Sequence, residues 1–317
     1  MDTMTPPEPV DCLVIGAGPA GLTTAIYLAR FRRRFQVFDD GNSRAGWIPV
    51  SHNLAGFING ISGKNLLSRM RSHAKKYGAT ITQGSVVTLA RDTGGLFVAT
   101  AADGRVIRAS TVMLATGVID VEPVLPKLRQ TVRRGLIRHC GICDGYEVID
   151  QKVGVIGYGR TGLGEALFLR NYSSDITLLS LGRPLDLPPE DHLRMQEAGI
   201  KSIEAAVEEV AVEGKRIAAL RVQGGETHAF DSLYSALGST ARTGLLHGLG
   251  AALDERQCVI VDNHQRSSVD GLFVAGDVAS GLDQIAIAMG QAAIAATAIH
   301  NRLRGAHSTG PAASIIA

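Results

Sequence analysis

Two glycine turns of the pattern Gly-x-Gly-x-x-Gly constrain the fold of this chain more than any other feature. The first turn, residues 16–21, follows an apolar run at residues 12–15, and the second, residues 157–162, follows a similar run at residues 153–156. Between a strand and a helix, such glycines allow a tight turn and a close approach to a pyrophosphate. At 317 residues the chain exceeds one ordinary core, so we expect two dinucleotide-binding domains.

The first turn has the further elements of a nucleotide site. A helical stretch follows it, and then a strand over residues 35–38 that ends in Asp39. An acid about 20 residues after the turn is placed to accept a ribose hydroxyl. Strand, helix and acid together favour a genuine site, formed by Gly16, Gly18, Gly21 and Asp39, over a chance glycine turn.

Between the two turns lies a Cys-x-x-Cys pair, Cys140 and Cys143, followed directly by Asp144. A thiolate is the attacking species in disulfide exchange, and a neighbouring carboxyl can move the protons that the sulfurs need. The alternative is zinc, which would require two more ligands; His139 is adjacent, but no second Cys-x-x-Cys is present. The pattern favours redox exchange, and we expect no metal.

Composition narrows the classes of partner. The formal net charge is +2 with acids and bases interspersed, which argues against nucleic acid, and apolar runs are broken before the roughly 20 residues that span a bilayer. The N-terminus lacks the pattern of a secretory signal, so we expect a cytoplasmic protein without a membrane segment. Cys12 and Cys258 lie in apolar runs and are expected to be buried structural thiols.

Six motifs occur in the order found in the low-molecular-weight thioredoxin reductase family, which the chain therefore resembles over nearly its whole length. They are residues 16–21, 51–56, 115–117, 140–145, 157–166 and 276–277. The resemblance implies an α/β fold of two Rossmann-like domains, each with two sheets and a helical layer, the second inserted into the first. The FAD domain would span 1–120 and 248–317, and an NADPH-binding-like domain with the cysteines would span 121–247. A homodimer is also implied.

The resemblance also implies roles for individual residues. Cys140 would exchange with the substrate disulfide, Cys143 would contact the flavin, and Asp144 would donate and accept protons. The substrate would be a thioredoxin-like protein or a small disulfide. The implied FAD contacts are Gly16, Gly18, Pro19, Ala20, Gly21, Asp39, Asn53, Val87, Thr116, Gly117, Gly276, Asp277, Gln284 and Ile285.

The chain departs from the family at the second turn. Where the family has His-Arg-Arg and a further Arg to clasp the 2′-phosphate of NADPH, this chain has Ser180, then Arg183 as the one remaining cation, and Asp186 at the further position. NADH is not favoured either, because Ser180 replaces the acid that an unphosphorylated ribose needs. These changes argue against NADPH. In this respect the chain resembles relatives of thioredoxin reductase that lack the NADPH cluster, and that resemblance implies ferredoxin as the electron donor or a second FAD in place of the nicotinamide.

Two further departures lie near the expected flavin site. Asp283 stands where the family has Arg, and residues 43–49 replace the family's Gly-Gly-Gln loop. In that segment Arg44 could neutralise a pyrophosphate, whereas Trp47 could either stack on a planar ligand or pack against its domain.

The sequence predicts an FAD-dependent disulfide oxidoreductase in which electrons pass between the flavin and Cys140/Cys143 and then to a disulfide. Two alternatives remain open. One is an oxygen-dependent dithiol oxidase, in which electrons pass in the opposite direction, from a dithiol through Cys140/Cys143 and the flavin to oxygen. The other is a flavin-carrying redox sensor without turnover.

Overall fold

The computed structural model describes residues 8–125, 136–214 and 216–305. These residues form two compact units. The first unit takes the described residues of Met1–Ile48, Ser62–Ile119 and Thr240–Ala317, and the second takes those of Pro49–Ile61 and Asp120–Ser239.

The helices and strands alternate in the manner of an α/β protein. The strands are β1 (Val10–Ile15), β2 (Phe35–Asp39), β3 (Ile81–Gln83), β4 (Val86–Arg91), β5 (Phe97–Ala101), β6 (Val106–Leu114), β7 (Val118–Asp120), β8 (Ile137–Arg138), β9 (Val153–Ile156), β10 (Ile176–Leu179), β11 (Lys201–Ile203), β12 (Val207–Glu213), β13 (Arg216–Val222), β14 (Thr227–Phe230), β15 (Ser232–Ser235), β16 (Ser239–Ala241) and β17 (Leu272–Val274). The α-helices are α1 (Pro19–Arg30), α2 (Gly63–Lys76), α3 (Gly141–Asp144), α4 (Gly159–Leu169), α5 (Pro189–Glu197) and α6 (Ile285–Gly305). Short 3-10 helices span Arg44–Trp47, Gly145–Val148 and Gly244–Leu246.

The first unit is built on one sheet in the order β3-β2-β1-β6-β5-β4, with β17 also paired to β6. Strands β1, β2, β3, β6 and β17 pair in parallel, whereas β4, β5 and β6 pair antiparallel. Helix α1 begins at Pro19, whose fixed φ suits the first helical position, and it packs against α2 and α6. The first glycine turn therefore lies between the central strand of a parallel sheet and a buried helix.

The second unit has three layers. Its parallel sheet has the order β11-β10-β9-β15-β8, and β12, β13 and β14 form a separate antiparallel sheet. Leu163 and Leu169 of α4 pack on one face of the parallel sheet, and Ile217 and Leu220 of β13 share a core with β9 and β10 residues that point away from the helices. The expected α/β fold with two Rossmann-like domains is confirmed.

The borders of the units differ from those expected from the sequence. Strands β7 and β16 pair with each other where the chain crosses between the units. The return crossing lies at Ser239/Thr240 rather than at 247/248, because Leu246 is buried in the core of the first unit. The segment Pro49–Ile61 groups with the second unit, whereas the sequence assigned it to the FAD domain.

Local expectations hold in part. Cys12 is buried in β1, where burial raises the pKa of its thiol to about 12, and Cys258 is buried outside any strand. Arg33, which follows α1, is half-buried and donates to His300 of α6. No helix of the described ranges combines the length and the apolar content needed to cross a lipid bilayer.

Candidate active site

Cys140 and Cys143 form a disulfide at the start of α3, with their Cα atoms 5.3 Å apart. Cys140 is the N-cap of this short helix, and its Sγ accepts a hydrogen bond from the Cys143 amide at 3.2 Å. A backbone donor at an N-cap sulfur favours a thiolate over a thiol once the bond is reduced. Ile142, between the cysteines, is half-exposed.

Asp144 is fixed by two donors from neighbouring strands. Arg138 Nη1 donates to Asp144 Oδ2 at 2.7 Å, and the Tyr234 hydroxyl donates to Asp144 Oδ1 at 2.8 Å. Both donors reach the same carboxylate because Tyr234 of β15 lies beside Arg138 of β8 in the parallel register. Burial and the charge of Asp144 raise the pKa of Tyr234 far above its usual range, so Tyr234 remains a donor.

A second carboxylate contacts the dithiol turn from α4. Glu165 Oε1 accepts a hydrogen bond from the Gly141 amide at 2.8 Å. Burial, followed by the charge of Asp144, raises the pKa of Glu165. A methyl group on Gly141 would lie 2.7 Å from that oxygen and 2.9 Å from the Phe168 ring, so the residue after Cys140 must be small.

Asn53 and its neighbours lie against the same turn, within the second unit. Asn53 Nδ2 donates to the Ile142 carbonyl at 3.4 Å, and His52 Nδ1 lies 3.6 Å from Glu147 Oε1. The other Glu147 oxygen is buried without a hydrogen-bond partner. His, Cys, Asp and Glu side chains of the described ranges nowhere gather in threes as a metal site would require.

In the first unit, the first glycine turn is closely packed and its acid is in place. A methyl group on Gly21 would lie 1.8 Å from the Gly16 carbonyl oxygen, and Gly16 itself has a φ of +101° beside the backbone of Ala115. Asp39 is buried at the end of β2, where Oδ1 accepts from the Ala17 amide at 3.0 Å. Arg71 donates to Asp39 Oδ2 at 3.0 Å.

Other predicted FAD contacts surround this turn in the first unit. Arg44 Nη1 lies 3.0 Å from Asp277 Oδ2 and 3.9 Å from Asp283 Oδ2. Burial and the charge of Asp277 raise the pKa of Asp283. Gly276, with a φ of +81°, lies against Ala20, so the segment at the end of β17 meets the start of α1.

The remaining predicted contacts of the first unit are less closely grouped. Thr116 donates its hydroxyl to the Arg242 carbonyl at 2.8 Å, and Gly117 accepts from the Arg242 amide at 3.0 Å. Trp47 and Val87 are each 53% exposed, so Trp47 does not pack into the core of its unit. Gln284 and Ile285 lie at the start of α6, with the Gln284 carbonyl accepting from the Ala288 amide.

The second glycine turn is covered by the segment that follows β10, residues 181–187, which we call the closing segment. The Gly159 amide, at the second glycine of the pattern, donates to the Leu185 carbonyl at 2.7 Å. Arg183 donates to the Tyr158 hydroxyl at 3.0 Å, with its guanidinium 5.0 Å from the centre of that ring. The Ser180 hydroxyl, at the end of β10, donates to the Arg183 carbonyl.

The cation inside the second turn is also engaged. Arg160 Nε lies 2.9 Å from Asp191 Oδ2, and its Nη2 lies 3.1 Å from Glu190. Asp191 is almost fully buried and also accepts from Arg194, which holds the pKa of its carboxyl below the usual range together with Arg160. The charge of Arg160 is thus satisfied within the unit.

Comparison with known proteins places this geometry in a family. The model of the pyridine nucleotide-disulphide oxidoreductases matches residues 10–292. The chain belongs to the pyridine nucleotide-disulphide oxidoreductase family. Thioredoxin reductase of Streptomyces clavuligerus is 32% identical over 283 residues, covering 84% of this chain and 85% of that protein.

Two solved structures support this family assignment. The crystal structure of HlmI has 28% identity and a TM-score of 0.86, covering 94% of this chain and 93% of that one. Thioredoxin reductase from Streptococcus pyogenes MGAS5005 has 26% identity and a TM-score of 0.85, covering 93% and 98%. The expected resemblance is confirmed: within the family, this protein is a thioredoxin reductase-like, FAD-dependent disulfide oxidoreductase.

The residues of the first unit fit the FAD that this family implies. The glycines at 16 and 21 leave no space for side chains, and α1 has no side-chain cap, so its first amides can face a pyrophosphate. Asp39 carries lone pairs that a ribose hydroxyl can use in addition to its two present donors. When bound, FAD supplies two-electron exchange with the dithiol.

The residues of the second unit do not fit the nicotinamide dinucleotide that this family also implies. The Gly159 amide and the Ser180 hydroxyl, which occupy positions for pyrophosphate and ribose, donate instead to carbonyls of the closing segment. Arg183 is held on Tyr158 at the mouth of the turn.

Several residues of both sites escaped the sequence analysis. Arg138, Tyr234 and Glu165 are brought to the dithiol turn by strand register and helix packing, and the sequence offered only that Arg138 stands two residues before Cys140. In the first unit, Arg71 and Gln291 were missed; the Gln291 side chain accepts from the Gly276 amide at 2.9 Å.

Proposed function

We propose that this protein exchanges two electrons between FAD, bound at the first glycine turn, and the Cys140–Cys143 pair, which in turn reacts with an external disulfide or dithiol. The observation that carries the proposal is the disulfide with Asp144 fixed beside it by Arg138 and Tyr234. A structural disulfide would not require a carboxylate held by two dedicated donors. The assignments of FAD to the first unit and of the dithiol to the second unit belong to this proposal.

The exchange with substrate follows ordinary thiol chemistry. The Cys140 thiolate attacks one sulfur of the substrate disulfide and releases one thiol, leaving a mixed disulfide. Cys143 then attacks Cys140 Sγ, which releases the second thiol and restores the Cys140–Cys143 disulfide. Asp144, next to Cys143, accepts the proton of the attacking thiol, and the Tyr234 and Arg138 contacts keep its oxygens directed toward that task.

The substrate class follows from the relatives. Proteins of similar length and sequence are named thioredoxin reductases, so a thioredoxin-like protein or a small disulfide is the substrate that we propose. A homodimer and a cytoplasmic location stay predictions from the resemblance and from the N-terminal sequence.

The electron donor in this proposal is not a nicotinamide. The closing segment takes the donors of the second turn, and the same contacts argue against a second FAD there. In such a reductase, a redox protein of the ferredoxin class would donate the electrons that reduce the FAD.

An oxygen-dependent dithiol oxidase is a second candidate, and the closed second turn favours it. In that direction the substrate is itself the reductant, so no donor site is needed. The balanced reaction joins the two sulfurs of a dithiol and passes two electrons and two protons to O₂, which gives H₂O₂. The other alternative, a redox sensor, differs from the reductase and the oxidase in having no turnover.

The test uses the FAD-loaded protein and four variants. Anaerobically photoreduced protein is mixed with a small aromatic disulfide, and oxidised protein is mixed with dithiothreitol in air while H₂O₂ is measured. Cys140→Ser and Cys143→Ser are expected to lose at least about 100-fold in both reactions, whereas the matched controls Cys12→Ser and Cys258→Ser keep them. Turnover with disulfide supports the reductase, catalytic H₂O₂ formation supports the oxidase, and turnover in neither assay contradicts the proposal.

A further inference from the structure

Glu165 is a carboxylate for which the proposed reaction has so far no use. It contacts the dithiol turn through Gly141, the residue directly after Cys140, at a distance of 2.8 Å. Phe168, on the same helix, covers the other side of Gly141. In the described ranges no Lys, Arg or His forms an ion pair with Glu165, and Arg138 pairs with Asp144 instead.

The groups around Glu165 leave it in a negative environment. Asp144 of α3 faces it as an anion, and Tyr234 of β15 is a neutral donor whose pKa is raised in part by both carboxylates. Arg138 of β8 is the cation of this cluster and pairs with Asp144. In the described part of the chain, the hydrogen-bond donor to Glu165 is the Gly141 amide.

Reduction of the disulfide adds a further charge at this point. Cys140 must become a thiolate in order to attack a substrate, and its sulfur lies one residue from the amide that Glu165 holds. Two neighbouring anions in a partly buried site disfavour each other, so one proton is shared between them. Ionised Glu165 and thiol Cys140 are then in equilibrium with neutral Glu165 and thiolate Cys140.

We propose that Glu165 is a positioning residue that sets the charge of Cys140 through the Gly141 amide, as a proton partner for the sulfur that meets the substrate. Asp144, at the other end of α3, is the corresponding proton partner of Cys143 in the proposed reaction. The inference rests on the proposed function, in which Cys140 is the exchanging sulfur. It adds a second acid, with a separate sulfur, to the single acid that the sequence predicts.

The test measures the thiol directly and does not depend on turnover. In FAD-loaded Cys143→Ser protein, the rate of Cys140 alkylation by iodoacetamide is followed from pH 5 to pH 10, with mass spectrometry to separate Cys140 from Cys12 and Cys258. Adding Glu165→Gln keeps an acceptor for the Gly141 amide and removes the charge. We expect the midpoint of the alkylation rate against pH to fall by about one pH unit. At pH values below that midpoint, Cys140 alkylation should be about tenfold faster.

Glu190→Gln in the same background is the matched control, since Glu190 is an exposed acid of the second unit, and its profile should be unchanged. If Glu165→Gln does not retain FAD, Glu165→Asp replaces it; the shorter acid cannot keep its place at Gly141, and a smaller shift in the same direction is expected. An unchanged or raised midpoint overturns the inference. Failure of the proposed function would instead appear as full turnover in Cys140→Ser, whatever the alkylation profile.

Discussion

The two glycine turns share a sequence pattern but differ in what their backbone donors contact. In both turns the first and third glycines are packed so closely that a methyl group on either would meet backbone atoms of the turn or its neighbours. At the first turn, the acid Asp39 is fixed to the Ala17 amide. At the second, the Gly159 amide donates to Leu185 of the closing segment. Close packing therefore maintains the fold in both turns, whereas in our proposal the backbone donors decide which turn can hold a dinucleotide.

The largest effect is expected from crowding each turn in the same way. Gly21→Ala places a methyl group 1.8 Å from the Gly16 carbonyl oxygen, and Gly162→Ala places one 2.7 Å from Gly157. Overpacking of this kind costs about 1 to 3 kcal/mol, so Gly21→Ala should weaken FAD binding by up to about 100-fold. Gly162→Ala should destabilise the second unit and leave FAD bound. FAD content after gel filtration, together with thermal unfolding, measures both.

Gly164→Ala is the control for these substitutions, because nothing lies within 4 Å of its new methyl group. It should stabilise helix α4 by up to about 1 kcal/mol. Loss of FAD from Gly162→Ala alone would reverse the assignment of the two turns.

A smaller effect is expected from the residues that end the strand after each turn. Asp39→Ala removes the carboxylate that holds Ala17 and Arg71, and we expect FAD to bind about 10- to 100-fold more weakly, as for loss of hydrogen bonds to a charged group. Ser180→Ala removes a hydroxyl whose acceptor is the Arg183 carbonyl, and FAD affinity and turnover should stay within about twofold. Titration of each apoprotein variant with FAD measures the two affinities. An equal loss of FAD affinity in Asp39→Ala and Ser180→Ala would show that the turns do not differ as described.

The sequence predicted the parts of this comparison that lie close together in the chain. The glycine turns, Asp39 and the Cys140–Cys143 pair are local patterns, because tight turns and paired sulfurs place strict demands on nearby residues. Ser180, Arg183 and Asp186 also indicated a weakened second site. The sequence could not show that the closing segment covers the turn, because the atom involved is the Leu185 backbone carbonyl, which every residue type has.

The partners of Asp144 were hidden for a different reason. Arg138 and Tyr234 are distant in sequence and become neighbours through the register of β8 and β15, which has no local pattern. Glu165 reaches Gly141 by packing of α4 against α3. The boundary at Ser239/Thr240 likewise depends on where Leu246 is buried.

The smallest effect concerns the pH dependence of stability in the second unit. Glu165 has a folded pKa raised above its ordinary value of 4.5, so the folded state binds more protons and loses stability as pH rises through the window above 4.5. Glu165→Gln removes that loss and keeps the acceptor for Gly141. The melting temperature of the variant relative to the parent should rise by about 2 °C between pH 4.5 and pH 7.5, measured on FAD-loaded protein. A melting-temperature difference between variant and parent that stays constant or falls as the pH rises would contradict a raised pKa of Glu165.

The difference between the turns is tested most directly by calorimetric titration of the FAD-loaded protein with NADPH, repeated with NADH. The closed second turn predicts one FAD per chain and no saturable nicotinamide binding up to about 1 mM, which corresponds to less than about 4 kcal/mol of binding free energy. Saturable binding of NADPH at micromolar concentration, abolished by Arg183→Ala, would contradict the account and show that the closing segment opens to receive the cofactor.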